Sequence, residues 1–376
     1  MKFRTALLAA LALPFASHAE PTGGIEWVTP ALETNAPLND EEKKFGMEHG
    51  RKLPTPELLQ PSVDASLVPF KPAHGKDLTG HFKAAASDVL PGLVELWLKE
   101  FHKFYPKVTV ELTPPYAGSL GAKELVNGKL DFVFVSRELK PDDIVDFKAK
   151  FGYAPLSVPV SGGTYRHYGF LDAVGFMVAK DNPIERISFD QLDAILSTTH
   201  HRGGQAIATW GQLGLTGEWA DKPIHVYGIK PWNGFEEFIR QRVLSTDGKR
   251  GEWRTDLNFA EVVFPVAKNV AADKYALGYS GMAYIDAPVK MLALSQHDGD
   301  QAIAPTYENV AAATYPLSRL TFLNANKKPG QKLDPAADEL FRFILSRQGQ
   351  QVVRDQAIYL PLRGSQAAAS LDFLKP

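Results

Sequence analysis

Cysteine is absent from all 376 residues. That excludes disulfides, thiolate metal sites, a cysteine nucleophile and a lipid-modified cysteine. Long apolar runs are missing too. None approaches the roughly 20 residues a membrane-spanning helix needs, so no membrane insertion is expected. Neither sign of charge predominates, with 41 Lys and Arg against 43 Asp and Glu. Nucleic acid, which calls for a concentrated basic surface, is therefore not an expected partner. The motifs HExxH, GxSxG, GxGxxG and the P-loop do not occur, and no nucleophile–base pair stands out, so no enzymatic activity is expected. His200-His201 is the one adjacent histidine pair. Neighbouring side chains are badly placed to share a metal, and a solvated loop pair is the better reading. Neither metal nor cofactor is expected.

What is present begins with "MKFRTALLAALALPFASHA". Lys2 and Arg4 form a positive n-region, Ala6 to Phe15 a short apolar stretch, and Ser17-His18-Ala19 a small-x-small cleavage site. Residues 1–19 read as a secretory signal peptide cut after Ala19. Export without a lipid anchor points to a bacterial periplasm, with full secretion as the second choice. Residues 20–77 are proline-rich and weakly periodic, an N-terminal arm that is either draped on the body or disordered. One short helix is expected over Asp40 to His49, capped by Asn39. The length left after the leader exceeds one typical core, so two lobes are expected.

From Leu78 onward the pattern is regular α/β. "GHFKAAASDVL" reads as a strand and turn. "PGLVELWLKEFHKFYP" is an amphipathic helix with Leu93, Trp97, Phe101 and Phe104 on one stripe, Pro91 in its first turn and Pro106 at its end. "KVTVEL" alternates as a strand, "GAKELVNG" is a helix stopped by Gly128, and "KLDFVFVS" is apolar enough for a parallel strand buried on both faces. Such alternation predicts a doubly wound α/β architecture, with ligands held at the loops beyond the carboxyl ends of strands.

Three strand-end turns are candidates for that role. In "AAASDVLPG", Ser87 offers a hydroxyl ahead of a helix, although a simple helix cap explains it as well. In "PPYAGSLGAKELVNG", Gly118-Ser119 lets backbone approach a ligand closely, with a cap again the alternative. In "VFVSREL", Ser136 and Arg137 follow a buried strand, where an arginine can reach an anion or form a structural ion pair. A fourth turn, in "HVYGIKPWNGFEEFIRQRV", joins a short strand at His225 to a helix starting near Asn233 or Gly234. A strand–turn–helix of this kind aims several backbone N–H groups at one spot.

Taken together and in order, these stretches resemble the periplasmic phosphate-binding proteins of ABC transporters, in the two-lobed type II class. The likeness runs from about Leu78 to Leu362 and is strongest in "LDFVFVSREL", "DAVGFMVAKDNPIERISFDQLDAIL", "ATWGQLGLTGEWADKPIHVYG", "ALGYSGMAYIDAPVKMLALS", "YPLSRLTFLNANKKPG" and "FILSRQGQQVVRDQAIYLPL". It implies an α/β fold of two doubly wound lobes joined by two crossing strands, "LDAVGFMVAK" and "ALGYSGMAY". Lobe one is expected to comprise 78–170 plus 282–376, and lobe two 171–281. Binding closes such lobes by a hinge motion.

The resemblance implies a monomeric, non-enzymatic receptor that delivers phosphate or a related small oxyanion to an ABC transporter permease. Its ligand-binding positions fall on Ser87 and Asp88, on Ser119, on Ser136 and Arg137, and in the second lobe on Asn233 and Gly234. The family's second-lobe loop carries an arginine and then Ser-Gly-Thr. Here Ile229 stands at the arginine position, and Asn233, Gly234 and Phe235 at the other three. Adjacent Lys230 is the candidate replacement cation. Losing the arginine and two hydroxyls removes about 2.5–6 kcal/mol if nothing compensates. Weak or absent phosphate binding is therefore expected, and a sensor or protein-interaction module that has lost tight phosphate binding is the alternative function. Export is directly testable. N-terminal sequencing of periplasmic extract should find Glu20 first, and Met1 on cytoplasmic protein would end that reading.

Overall fold

The computed structural model describes residues 62–87, 90–113, 120–165, 171–230, 234–261, 263–356 and 358–376. The leader, most of the N-terminal arm and the helix expected over Asp40 to His49 lie outside them. So do Asp88, Ser119 and Asn233.

Two five-stranded sheets organise the chain. The first takes its strands from β1 (Gly80–Ala86), β2 (Val108–Leu112), β3 (Phe132–Val135), β4 (Leu156–Gly162) and, from far along the chain, β12 (Leu320–Ala325), in the order β2-β1-β3-β12-β4. The pairs β1–β2 and β1–β3 are parallel, while β12 runs antiparallel to both its neighbours. The second sheet contains β5 (Val174–Ala179), β7 (His225–Ile229), β8 (Asn258–Ala260), β9 (Ala276–Gly281) and β10 (Val289–Met291), in the order β10-β5-β9-β7-β8. A small two-stranded sheet joins β6 (Arg186–Ser188) to β11 (Ala293–Ser295). The second sheet therefore takes in Val289–Met291, C-terminal to the boundary expected at residue 281.

Helices cover the sheets: α1 (Pro91–Phe101), α2 (Leu120–Val126), α3 (Pro141–Phe151), α4 (Phe189–Leu196), α5 (Gly234–Ile239), α6 (Val266–Ala272), α7 (Tyr307–Ala311), α8 (Pro335–Ile344), α9 (Arg347–Gln356) and α10 (Gly364–Asp372). The sequence explains their placement. Leu93, Val94, Trp97 and Phe101 recur at helical spacing in α1, and all four are buried. Trp97 fixes the helix further by donating Nε1–H to the carbonyl of Gly349 at 2.8 Å. The expected stripe ends there, because α1 stops at Phe101 and Phe104 lies beyond it. The Phe104 ring instead meets Phe70 edge-on, with centroids 5.0 Å apart. Every residue of β3 is buried, as an apolar central strand requires.

The end of the N-terminal arm is draped on the first lobe. Leu67 and Phe70 are buried in its core. Arg347 donates to the carbonyls of Ala65 and Leu67 at 2.6 and 3.1 Å, and the Asp64 carboxylate accepts from the Gly364 N–H at 2.9 Å.

The second lobe packs a large apolar core around its sheet, running from Phe176 and Leu192 through Trp210 and Trp253 to Tyr279. Gly228 in β7 is needed for that packing. A Cβ there would stand 2.5–2.7 Å from the ring of Tyr279 and 2.8 Å from its hydroxyl, which donates to the carbonyl of Ile229 at 3.0 Å. Gly228→Ala should therefore cost about 1–3 kcal/mol through overpacking. Urea unfolding at unchanged m-value checks this, and a loss under about 0.5 kcal/mol would mean the Tyr279 ring moves aside freely.

Candidate functional site

Three neighbouring strands of the first sheet end side by side. The Ser87 N–H donates to the carbonyl of Phe134 at 2.8 Å, tying the end of β1 to that of β3. The Thr113 N–H donates to the carbonyl of Ala84 at 2.8 Å, tying in the end of β2. Each of these ends carries a buried side-chain atom with no hydrogen-bond partner among the described residues: Ser87 Oγ, Thr113 Oγ1 and, just past β3, Arg137 Nη2. Native proteins rarely leave such atoms unmet. The other terminal nitrogen of Arg137 donates to the carbonyl of Glu138 at 2.9 Å. Ser136 is half-buried beside it.

The turn from β3 into α3 adds more charge. Lys140 is 1 % exposed and Asp143 6 %, and the Lys140 N–H donates to Asp143 Oδ2 at 3.2 Å. Burial lowers the pKa of Arg137, against the pull of Asp143, Glu237 and Glu138. The guanidinium starts so high that it stays charged. Burial and the charge of Arg137 push Lys140 down to about 6. Burial raises Asp143, against the pull of Arg137.

Across the cleft stands the start of α5, with Glu236 and Glu237 in its first turn, both buried. Carboxylates are favoured there by the helix dipole. Both are also held by arginines. Arg240 Nη2 lies 2.6 Å from Glu236 Oε1, and the indole N–H of Trp253 donates to the same oxygen. Arg250 holds Glu237 with both terminal nitrogens, at 3.0 and 3.2 Å, a fork geometry of the strong kind.

The helix continues as a π-turn, Arg240–Leu244, from which Arg242 reaches Glu138 of the first lobe. Two guanidiniums approach the Phe238 ring, Arg319 at 4.8 Å and Arg242 at 5.7 Å from its centroid. Among the described residues no group of acidic, histidine or cysteine side chains is arranged to hold a metal. No helix among them is long and apolar enough to cross a membrane.

The structure places the sequence candidates unevenly. Ser87, Ser136 and Arg137 lie at adjacent strand ends, and Gly234 opens α5 across the cleft. Lys230 is directed to the surface, with Nζ 2.9 Å from Glu261 Oε1 and both side chains exposed. Ile229 is fully buried in the apolar core of the second lobe. Sequence reading missed Thr113, Lys140 and Glu237. For Thr113 the available signal was its place directly ahead of the "PPYAGS" turn.

Comparison with known proteins agrees with this architecture. A family profile described as "PBP superfamily domain" matches residues 71–348. This chain belongs to the PBP, or periplasmic binding protein, superfamily. It is 33 % identical over 310 residues to the "Phosphate-binding protein PstS" of Pseudomonas aeruginosa, covering 82 % of this chain and 91 % of that one. "Protein SphX" of Synechocystis is 23 % identical over 262 residues, covering 68 % and 71 %. The crystal structure of PstS from Borrelia burgdorferi superposes with a TM-score of 0.55 at 16 % identity, covering 76 % of this chain and 99 % of that one. That likeness establishes the fold alone, a two-lobed type II binding-protein fold.

The buried ion pairs of α5 yield a stability test. Arg240→Met would leave the Glu236 carboxylate, which is wholly buried, without its cation. Removing one partner of a buried pair costs about 3–5 kcal/mol. Urea unfolding should show that loss, and a change below about 1 kcal/mol would show that the carboxylate is satisfied without Arg240.

Proposed function

We propose that this chain is an exported, monomeric solute receptor that holds phosphate, or an oxyanion of similar shape and charge, between its lobes and delivers it to an ABC transporter permease. The observation that carries this reading is the set of buried donors at the strand ends: Ser87 Oγ, Thr113 Oγ1 and Arg137 Nη2. Each unmet buried donor costs roughly 1–3 kcal/mol, and the oxygens of one tetrahedral anion would meet all three. Phosphate comes first because the relative at 33 % identity is named for it. In this reading Ser136 and Gly234, together with the sequence candidates Asp88, Ser119 and Asn233 that lie outside the described residues, complete the ligand shell. Lys230 has a weaker claim, since Glu261 already holds it. Signal cleavage after Ala19 belongs to the same proposal.

A second reading, a sensor or interaction module with weak phosphate binding, is favoured by one observation. Ile229, which the resemblance sets at the family's cation position, is buried in an apolar core. The altered loop then supplies no charge to the ligand. Replacing Ile229 by arginine would bury an unpaired charge, so the informative change lies in the first lobe.

Calorimetry of the mature protein against phosphate, arsenate, sulfate, molybdate and tungstate separates the two readings. Micromolar or tighter phosphate binding supports the receptor, and no binding supports the module. Arg137→Ala should weaken oxyanion binding roughly tenfold or more, as expected for loss of a charge-assisted hydrogen bond. Unchanged affinity in a folded variant would make Arg137 a structural ion-pair residue.

A further inference from the structure

The turn after α4 carries an arginine whose partners the sequence did not show. His200 takes a left-handed φ of 48° and Gly203 one of 88°, and the Gly203 N–H donates to the carbonyl of His200 at 2.9 Å. This tight turn presents Arg202, whose side chain is 9 % exposed. Its guanidinium donates Nη2–H to the carbonyl of Arg242 at 2.9 Å and Nε–H to that of Val243. Both carbonyls belong to the π-turn Arg240–Leu244. They lie near a helix end, where carbonyls lack partners within the helix and a cation is favoured. Arg202 is itself fixed to α4. Nη1 lies 3.8 Å from Asp190 Oδ1, the backbone N–H donates to Asp193 Oδ2 at 2.9 Å, and Cζ lies 5.4 Å from the centroid of the Phe189 ring. The rest of the turn holds the next segment. His201 Nε2 lies 3.0 Å from the carbonyl of Arg250, and the Thr198 N–H donates to the carbonyl of Glu252 at 2.9 Å. The histidine pair is therefore packed rather than solvated.

A π-turn closes over one residue more than an α-turn, and such turns recur at functional sites. Here the Ser245 N–H donates to the carbonyl of Arg240 at 2.9 Å, five residues back. The extra residue rotates what surrounds it about the helix axis, by about 100° at 3.6 residues per turn. The register of this turn therefore sets the direction of the Arg242 side chain. That side chain reaches Glu138 of the first lobe, the residue whose carbonyl accepts from Arg137. We propose that Arg202 is a positioning residue: by holding the carbonyls of Arg242 and Val243 it keeps the π-turn in register and aims Arg242 at Glu138, so that the lobes pair beside the candidate anion site. Its consequence for ligand affinity rests on the receptor reading above, while the pairing of the lobes does not. Methionine at 202 would leave two carbonyls without their donor and free the turn to slip toward α-helical bonding. Lysine would keep the charge but not the planar fork that reaches both carbonyls at once.

The chain has no cysteine, so spin labels can be attached through Ala149→Cys on α3 of the first lobe and Ala272→Cys on α6 of the second, both exposed. In that labelled background the distance distribution between the lobes is measured without ligand for wild type, Arg202→Met, Arg202→Lys, Arg242→Met and the double variant Arg202→Met with Arg242→Met. Arg202→Met and Arg242→Met should broaden the distribution alike, Arg202→Lys less, and the double variant no more than either single one. The unlabelled proteins are then titrated with inorganic phosphate. Each methionine variant should bind about twofold to fivefold more weakly, the range for an ion pair as exposed as Arg242 with Glu138. Arg202→Met should change nothing further once Arg242 is already methionine. Urea unfolding should register the loss of Arg202 in both backgrounds, which separates aiming Arg242 from supporting the fold. A distribution unchanged by Arg202→Met would overturn the proposal. So would an effect of Arg202→Met that is equally large with and without Arg242, because the arginine would then act through the fold alone. Should the methionine variant fail to unfold cooperatively, the same comparison with Arg202→Lys decides. If wild type binds no phosphate, the receptor reading falls and the distance distributions still decide the positioning role.

Discussion

Burying a guanidinium at the end of a central strand constrains much of what surrounds it. Arg137 cannot shed its proton, so the protein must supply negative charge or acceptors nearby. It does so from three directions, with Glu138 next in the chain, Asp143 on α3 and Glu237 across the cleft. None of these leaves the guanidinium complete, for Nη2 has no partner among the described residues. A buried donor left without an acceptor costs roughly 1–3 kcal/mol. The buried ion pairs of α5 contrast with it, each carboxylate being gripped from more than one side.

The same region brings the lobes together. Glu138 pairs with Arg242, although both side chains are more than a third exposed. A pair that open to water contributes roughly 0.2–1 kcal/mol. The contact over Phe238 is better shielded, since the ring is 2 % exposed and Arg319 is 7 %. A desolvated cation over an aromatic face contributes up to about 2 kcal/mol. Together these two contacts contribute no more than about 3 kcal/mol.

The alternation of strands and helices was legible because local periodicity carries it. The wholly apolar strand before Ser136-Arg137 and the buried stripe of α1 are read directly from residue spacing. Charge partners were not legible. Glu138 meets Arg242 and Glu237 meets Arg250 through the fold, and nothing in the spacing of "WNGFEEFIRQRV" says that its two glutamates turn inward. Lys230 illustrates the opposite case. It looked like a replacement cation by adjacency, but β7 pairs with β8 and that pairing sets it beside Glu261. Thr113 escaped notice because what places it at the strand ends is its backbone bond to β1, 29 residues earlier.

These partnerships divide the work between the lobes. Around the cleft, the arginines of the second lobe are already committed, Arg240 to Glu236, Arg250 to Glu237 and Arg242 to Glu138. Arg137 of the first lobe nonetheless shares one partner residue with them. Arg137 donates Nη1–H to the carbonyl of Glu138, and the carboxylate of Glu138 receives Arg242 from the opposite lobe. One short turn after a buried strand therefore meets the arginines of both lobes, through a backbone carbonyl and a carboxylate of the same residue.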